Sequence, residues 1–369
     1  MRRRKVKFLF AVAKEKLEKS GNKKKKTVND SQKIRKIKKQ TYLAVWALST
    51  LLLLLGIGKL FVFLSSLDRP KSITISSSRG YSWGGNHSIN LVVKSKTIQL
   101  INLNPVDNKL TIVDVPDEAY IEVPKGYGFW KAGSIFELGQ GENPPVGPQL
   151  LKLSLSKLFG LPIDGVILLE NSNDIRSLGR GWFSLLSNLS NIESDMTTFE
   201  TIRVLRKISP VRADKTYFLD LKHSSITVSK LLPDTTRVLG VDTIKADLFF
   251  RQHLKDAYIS NSDLSIGIFN GTNHPGLAQE VSRMITNLGG NVITVSNADQ
   301  TLGQSRVYTA DNLSKQNQSV ERITQLFAAS CLKDKCVSTD PKVNASRAQI
   351  NIVVGEDFFK KFYERNSIF

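Results

Sequence analysis

Residues 264–298 read LSIGIFNGTNHPGLAQEVSRMITNLGGNVITVSNA, and their punctuation decides the fold class. LSIGIF is a short β-branched and aromatic run that stops at Asn270-Gly271. That pair reads as a turn, because Gly takes positive φ and Asn tolerates it. PGLAQEVSRMITNLGG then spaces its apolar residues as a helix does, with Pro275 near the start and Gly289 at the end. Those are the positions where helices accept these residues. NVITVSNA returns to a β pattern, SVERITQLFAAS predicts a second helix, and INIVVGEDF predicts a closing strand. Helices alternating with strands make residues 263–360 a small α/β domain.

Towards the amino terminus, VDTIKADLFFRQHLKDAYISNS predicts a helix and then a linker at 251–262. Residues 88–250 predict a mixed-sheet α/β (α+β) domain. INLVV, TIQLINLNP, KLTIVDVP and AYIEVP are short β-rich runs broken by turn residues such as Pro105 and Asp107-Asn108. GPQLLKLSLSKLF sets Leu150, Leu151, Leu153, Leu155 and Leu158 on a broad helical face that Gly160 ends. IDGVILLE reads as a buried strand, residues 197–208 as a helix and KTYFLDLK as another strand. The Ser- and Gly-rich residues 68–87 read as a linker. A length of 369 residues suits about two domains at roughly 150 residues each.

The net charge of +19 first suggests a nucleic-acid partner, but its distribution argues against one. Residues 1–40 hold 17 Lys and Arg against 3 Asp and Glu, a net +14 that leaves +5 for the other 329 residues. The tail has no aromatic interleaving that would make a base-stacking platform. TYLAVWALSTLLLLLGIGKLFVFLSSL follows at 41–67, without a charge from Thr41 to Gly58. A span of about 20 apolar residues crosses a hydrocarbon core of roughly 30 Å. Lys59 lies toward the far end, where its stem can carry the ammonium to the interface. A buried core helix would not come with a +14 flank, and Ser65-Ser66-Leu67 makes a poor signal-peptidase site. The segment therefore predicts an uncleaved transmembrane helix. Basic residues accumulate on the cytoplasmic side, so residues 1–40 form a cytoplasmic tail and residues 68–369 lie outside a single-pass cell membrane. The tail would attract anionic lipid head groups, at about 1 kcal/mol per nearby basic residue.

The two cysteines are Cys331 and Cys336, in CLKDKC. Outside the membrane a disulfide closing this short loop is allowed. A zinc site would need two further ligands from a chain with 4 His. No Ser-His-Asp spacing, nucleophile elbow or H-E-x-x-H surrounds any His, and His87 stands in a Gly- and Asn-rich loop. Gly139 and Gly141 are not followed by Lys, so a phosphate-cradling P-loop is not supported.

TIQLINLNPVDNKLTIVDVPDEAYIEVP, residues 97–124, resembles the central block of the LytR-CpsA-Psr domain. In that family a strand, an Asn-Pro turn and a second strand lead into a Pro-Arg-Asp motif. KLFGLPIDGVILLE, residues 157–170, resembles the family's Gly-Ile-Pro-Ile-Asp-Tyr-Tyr strand entry. Residues 264–298 closely resemble the LytR carboxy-terminal domain, with its hallmark V-x-V-x-N-G-T-x-x-x-G-L-A. The resemblance spans residues 88–360 and agrees with the membrane topology.

It implies a cell-envelope protein of a family that moves glycopolymer from a polyprenyl pyrophosphate carrier to peptidoglycan. That chemistry requires a divalent ion such as Mg²⁺, held by Asp, and Arg groups that clamp phosphate oxygens. In the family these come from Arg-Ser-Asp-Thr and Pro-Arg-Asp. Here Lys94-Ser95-Lys96-Thr97 and Pro116-Asp117-Glu118 occupy those positions. Protonated Lys cannot ligate Mg²⁺ and lacks the planar fork of Arg. Asp117 would repel a phosphate, and Glu118 remains the metal-ligand candidate. The resemblance thus implies a degenerate, non-catalytic domain that binds lipid-linked glycopolymer or wall glycan. The alternative is an active phosphotransferase using Glu118 with Lys94 and Lys96, and a third is an envelope regulator signalling through the tail. Arg203 and Arg206 either correspond to the family's later phosphate-binding, Arg-rich helix or form a solvated helix face. The Leu-rich stretch 150–158 and the strand 166–169 either line a polyprenyl tunnel or form ordinary core.

Overall fold

The computed structural model describes residues 42, 45–59, 81–170, 175–179, 181, 185, 191–309, 317–327 and 338–364. The basic tail, residues 60–80 and the expected Cys331–Cys336 bond lie outside the described residues. The chain divides into two compact units, Met1–Ser66 and Leu67–Phe369. In the first, residues 45–59 are helical with exposed side chains. Among the described residues no helix is long and apolar enough to cross a membrane, and the expected span at 41–67 is described only in part.

The second unit is built on two sheets. The larger is six-stranded, in the order β7-β6-β1-β2-β3-β8. Its centre is an antiparallel meander of β1 (Ile89–Lys94), β2 (Ile98–Asn104) and β3 (Lys109–Val115). β6 (Gly165–Leu169) joins β1 in parallel, β7 (Ile192–Ser194) joins β6 antiparallel, and β8 (Thr216–Asp220) joins β3 in parallel. The central strands read as near-continuous apolar runs because both faces are covered. Ile89, Leu91 and Val93 face one cluster, with Trp83 and with Val204, Leu205 and Ile208 of the helix Thr198–Ile208. Val92, Ile98, Leu100 and Val113 face the other, with the helices Gly147–Phe159 and Thr243–His253. A capping box between Thr197 and Glu200 starts the helix Thr198–Ile208, satisfying two otherwise unpaired N–H groups.

The smaller sheet has the order β12-β11-β14-β13. β11 (Ser265–Asn270) lies parallel to β12 (Asn291–Asn297) and to β14 (Ile350–Val354), and β13 (Arg306–Thr309) is antiparallel to β14. The expected strand–helix–strand unit is present, its helix spanning Leu277–Asn287. The second apolar cluster runs without a break from Val92, Leu151 and Phe159 to Ile266, Ile285 and Ile352.

Helix ends join the two sheets. Arg283 donates to the carbonyls of Lys157 and Leu158, at 2.9 and 2.8 Å, and Asn287 donates to those of Phe159 and Gly160. These are the open carbonyls that end the helix Gly147–Phe159. Gly160 turns at φ 55°, and a Cβ there would sit 2.7 Å from Arg283 Nε. Only glycine meets both demands.

Several expectations change. Residues 81–87 and 251–262 were expected to be linkers, yet Trp83, Leu254 and Asp256 are fully buried. β4 (Tyr120–Val123) falls in the expected run AYIEVP, but its hairpin partner β5 (Gly128–Lys131), the helix Ala132–Gln140, the pair β9 (Thr227–Leu231) and β10 (Arg237–Val241), and the final helix Glu356–Tyr363 did not stand out in the sequence. Gly271 does not take the positive φ expected of it. It is glycine for space, since a Cβ would lie 2.9 Å from Val353 Cγ1 and 3.1 Å from the carbonyl of Val354. Asn270 and Thr272 tie the loop instead, through Thr272 Oγ1 to Asn270 Oδ1 at 2.8 Å and Asn270 Nδ2 to the His274 carbonyl at 2.7 Å.

Candidate functional site

The sheet register assembles the first candidates. Lys94 closes β1 opposite Ile98, and Ile98 lies opposite Val115, the last residue of β3. The turn Lys94-Ser95-Lys96-Thr97 and the turn Pro116-Asp117-Glu118 therefore share one end of the sheet. Lys94 Nζ donates to the Ser95 carbonyl at 3.2 Å and lies 5.9 Å from the centroid of the Phe136 ring. Lys96, Asp117 and Glu118 are exposed. The Asp117 carbonyl accepts from Gly133 N at 3.1 Å, and its side chain covers Gly133, where a Cβ would be 2.9 Å away. β8 is parallel to β3, so Asp220, Lys222 and His223 arrive at the same end.

Glu118 has been given a partner there. Lys222 Nζ donates to its carboxylate at 3.0 Å. That hydrogen bond, with a smaller contribution from Lys131, holds the Glu118 pKa below its usual value. Asp220 is likewise lowered by His223, whose ring nitrogen lies 2.6 Å away. Among the described residues no grouping of three His, Cys, Asp or Glu could hold a metal ion. Mg²⁺ needs several oxygen donors in octahedral array, whereas Glu118 is engaged by an ammonium with Lys96 in the adjoining turn. The donor set does not fit the ion.

Arg203 and Arg206 lie elsewhere. Their helix is entered from the end of β7 and left towards the start of β8, both at the opposite end of the sheet. Arg203 Nη1 donates to the Trp83 carbonyl, and its stem covers Gly85. Both Arg side chains are exposed on the outer helix face. Leu150, Leu151 and Leu155 are fully buried and pack with Phe159 and Phe250, which is the ordinary-core outcome for the Leu-rich stretch.

A second constellation was not foreseen. Arg322, 1% exposed, inserts between the two sheets. Its Nε donates to Asp256 at 2.8 Å, its Nη2 to Asp164 at 3.3 Å and to the Ser88 carbonyl at 3.1 Å, and its Nη1 to Tyr81 Oη at 3.2 Å. Asp164 also accepts from the Tyr81 hydroxyl and from Asn90 N at 2.8 Å. Burial acts to raise the Asp164 pKa, but Arg322, Tyr81 and Asn90 outweigh it and leave it below the usual value. His87, beside this network, is pushed below 6.5 by burial first and by Arg322 second. The one signal in the sequence was Asp164 in the Leu-Pro-Ile-Asp strand entry. Nothing marked Arg322 as its partner 158 positions on.

Comparison with known proteins gives the following. No curated protein matches the sequence. Among solved structures, Bacillus subtilis TagT is 11% identical, with a TM-score of 0.35, over 49% of this chain and 96% of that one. YwtF (TagT) with bound octaprenyl pyrophosphate lipid is 10% identical, TM-score 0.35, over 50% and 98%. The Enterococcus faecalis regulator EF0465 is 11% identical, TM-score 0.35, over 45% and 87%. Residues 263–358 match the family model described as LytR cell envelope-related transcriptional attenuator. The chain thus carries, over residues 263–358, the carboxy-terminal domain of the LytR cell envelope-related family.

Proposed function

We propose that this is a single-pass envelope protein whose sheet-end site binds a polyprenyl-pyrophosphate-linked glycopolymer or wall glycan without transferring it. The observation that carries the proposal is the Glu118–Lys222 ion pair at 3.0 Å. The residue best suited to hold a catalytic metal is instead neutralised by a cation. Lys94, Lys96, Lys131 and Lys222 belong to the turns and strand ends at this edge, and together they suit a diphosphate as point charges. The motif resemblance at 97–124 and 157–170 supports the carrier as ligand, and the LytR-type domain supports the cell envelope as location. The anchor rests on the uncharged run Thr41–Gly58 and the orientation on the +14 tail.

The test uses the full chain in nanodiscs, a short polyprenyl pyrophosphate bearing a neutral disaccharide, and native mass spectrometry. Exposed ion pairs contribute up to about 1 kcal/mol each. Replacing Lys94 and Lys96 with Ala is therefore expected to weaken retention about tenfold, while EDTA leaves it unchanged. Retention that needs a divalent ion, or that ignores both Lys residues, would contradict the proposal.

A further inference from the structure

A cavity of about 270 Å³ opens between the β4–β5 hairpin, the end of the helix Gly147–Phe159 and two helices of the carboxy-terminal part. This is just under the usual range for small-ligand sites, about 300–1,000 Å³. Leu158, Met284 and Phe362 give it an apolar lining. Tyr120 and Phe129 stand side by side on its wall, ring centroids 5.6 Å apart and planes 24° apart. Phe129 lines the cavity and is 57% exposed.

Two of the three cations lining the opening, Lys157 and Arg283, are already paired. Lys157 pairs with Glu122 at 3.1 Å and lies over the Tyr363 ring at 4.7 Å. Arg283 pairs with Asp247 at 2.9 Å. Glu280 accepts the Tyr363 hydroxyl, and Lys230 on β9 makes no ion pair among the described residues. An anion would meet Lys157 and Arg283 already neutralised, and would face the Glu122 and Glu280 carboxylates with Lys230 alone to attract it. A hydrocarbon chain would strip water from the Glu122 and Glu280 carboxylates without replacing their hydrogen bonds, which is costly.

A pyranose ring meets both demands. Its axial C–H groups form an apolar face that complements the negative face of an aromatic ring, and its equatorial hydroxyls bond to carboxylates and an ammonium at the rim. We propose that this cleft binds neutral pyranose units of a glycan, with Phe129 and Tyr120 as the stacking platform and Glu122, Glu280 and Lys230 as the polar rim. Tyr120 is the cross-strand partner of Lys131, so one hairpin carries residues of both the cleft and the sheet-end site. A carrier with its diphosphate at the Lys cluster would lay its sugars along Phe129. The inference rests on the glycan-binding reading above and adds that the carboxy-terminal part closes one side of the sugar site with Glu280, Arg283, Met284 and Phe362.

The probe is chitotetraose, titrated by calorimetry into the full chain in nanodiscs. Phe129 is exposed, so Phe129→Ala leaves the fold intact. It is expected to weaken binding about tenfold, the effect of losing one stacked ring, while Phe129→Trp retains the affinity. Carrier retention without chitotetraose binding overturns the sugar cleft alone. Chitotetraose binding that Phe129→Ala does not change also overturns it. Chitotetraose binding that depends on Phe129, without carrier retention, supports the cleft and overturns the lipid-linked reading.

Discussion

Replacing Arg322 with Met removes the guanidinium that bonds to both Asp164 and Asp256, which are 4% and 0% exposed. Removing one partner of a buried ion pair costs about 3–5 kcal/mol, because the remaining charge is left without compensation. Against a typical total of about 5–15 kcal/mol that is a large loss. The assay is urea unfolding of the full chain in detergent, followed by tryptophan fluorescence, because Trp83 packs edge-on against His87 beside the network. pH separates this mechanism from simple loss of packing. In the wild type Asp164 has a lowered pKa, so its contribution is complete above the unfolded value of about 3.9 and disappears as pH falls further. In the Met variant burial acts on Asp164 without its cation. The folded pKa then lies above the unfolded one, and acidification restores stability. As pH falls from neutral to about 4 the wild type should keep the Asp164 contribution while the Met variant gains stability, and only below that should the wild type lose it. A deficit under about 1 kcal/mol, or one independent of pH, would refute the reasoning.

Three further outcomes are expected. Gly271→Ala should lower stability by about 1–3 kcal/mol, read in the same unfolding assay, because its Cβ would press on Val353 and the Val354 carbonyl. Glu118→Gln should leave carrier retention unchanged and shift stability by less than about 1 kcal/mol, since its ion pair with Lys222 is exposed; native mass spectrometry and urea unfolding check the two halves. In intact cells a membrane-impermeant maleimide should label Cys331 and Cys336 only after mild reduction. Labelling without reduction rejects the disulfide, and labelling only after lysis rejects the orientation.

What the sequence disclosed follows from where the information was local. The strand–helix–strand unit at 264–298 was legible because its turn, its helix and its Gly289 stop each use residues a few positions apart. The two turns at the sheet end were legible as motifs, and register then placed them together. Lys222 was not legible as the partner of Glu118, because that pairing depends on β8 lying beside β3. Asp164 and Arg322 meet only after both sheets have formed. Strand β4 was legible in AYIEVP, but its partner β5 escaped notice because GFWK is exposed at all four residues and shows no alternation. Gly271 was identified with the wrong physics, as turn geometry can be inferred from a dipeptide but the proximity of Val353 cannot.

Whether the sheet-end site performs transfer separates a binding protein from an enzyme. The full chain in nanodiscs, given a polyprenyl pyrophosphate oligosaccharide, a peptidoglycan acceptor and Mg²⁺, should retain the carrier and release no transferred or free glycan by mass spectrometry. Turnover that EDTA abolishes and Glu118→Gln removes would show that Glu118 holds a metal despite Lys222, and the binding-only account would be wrong.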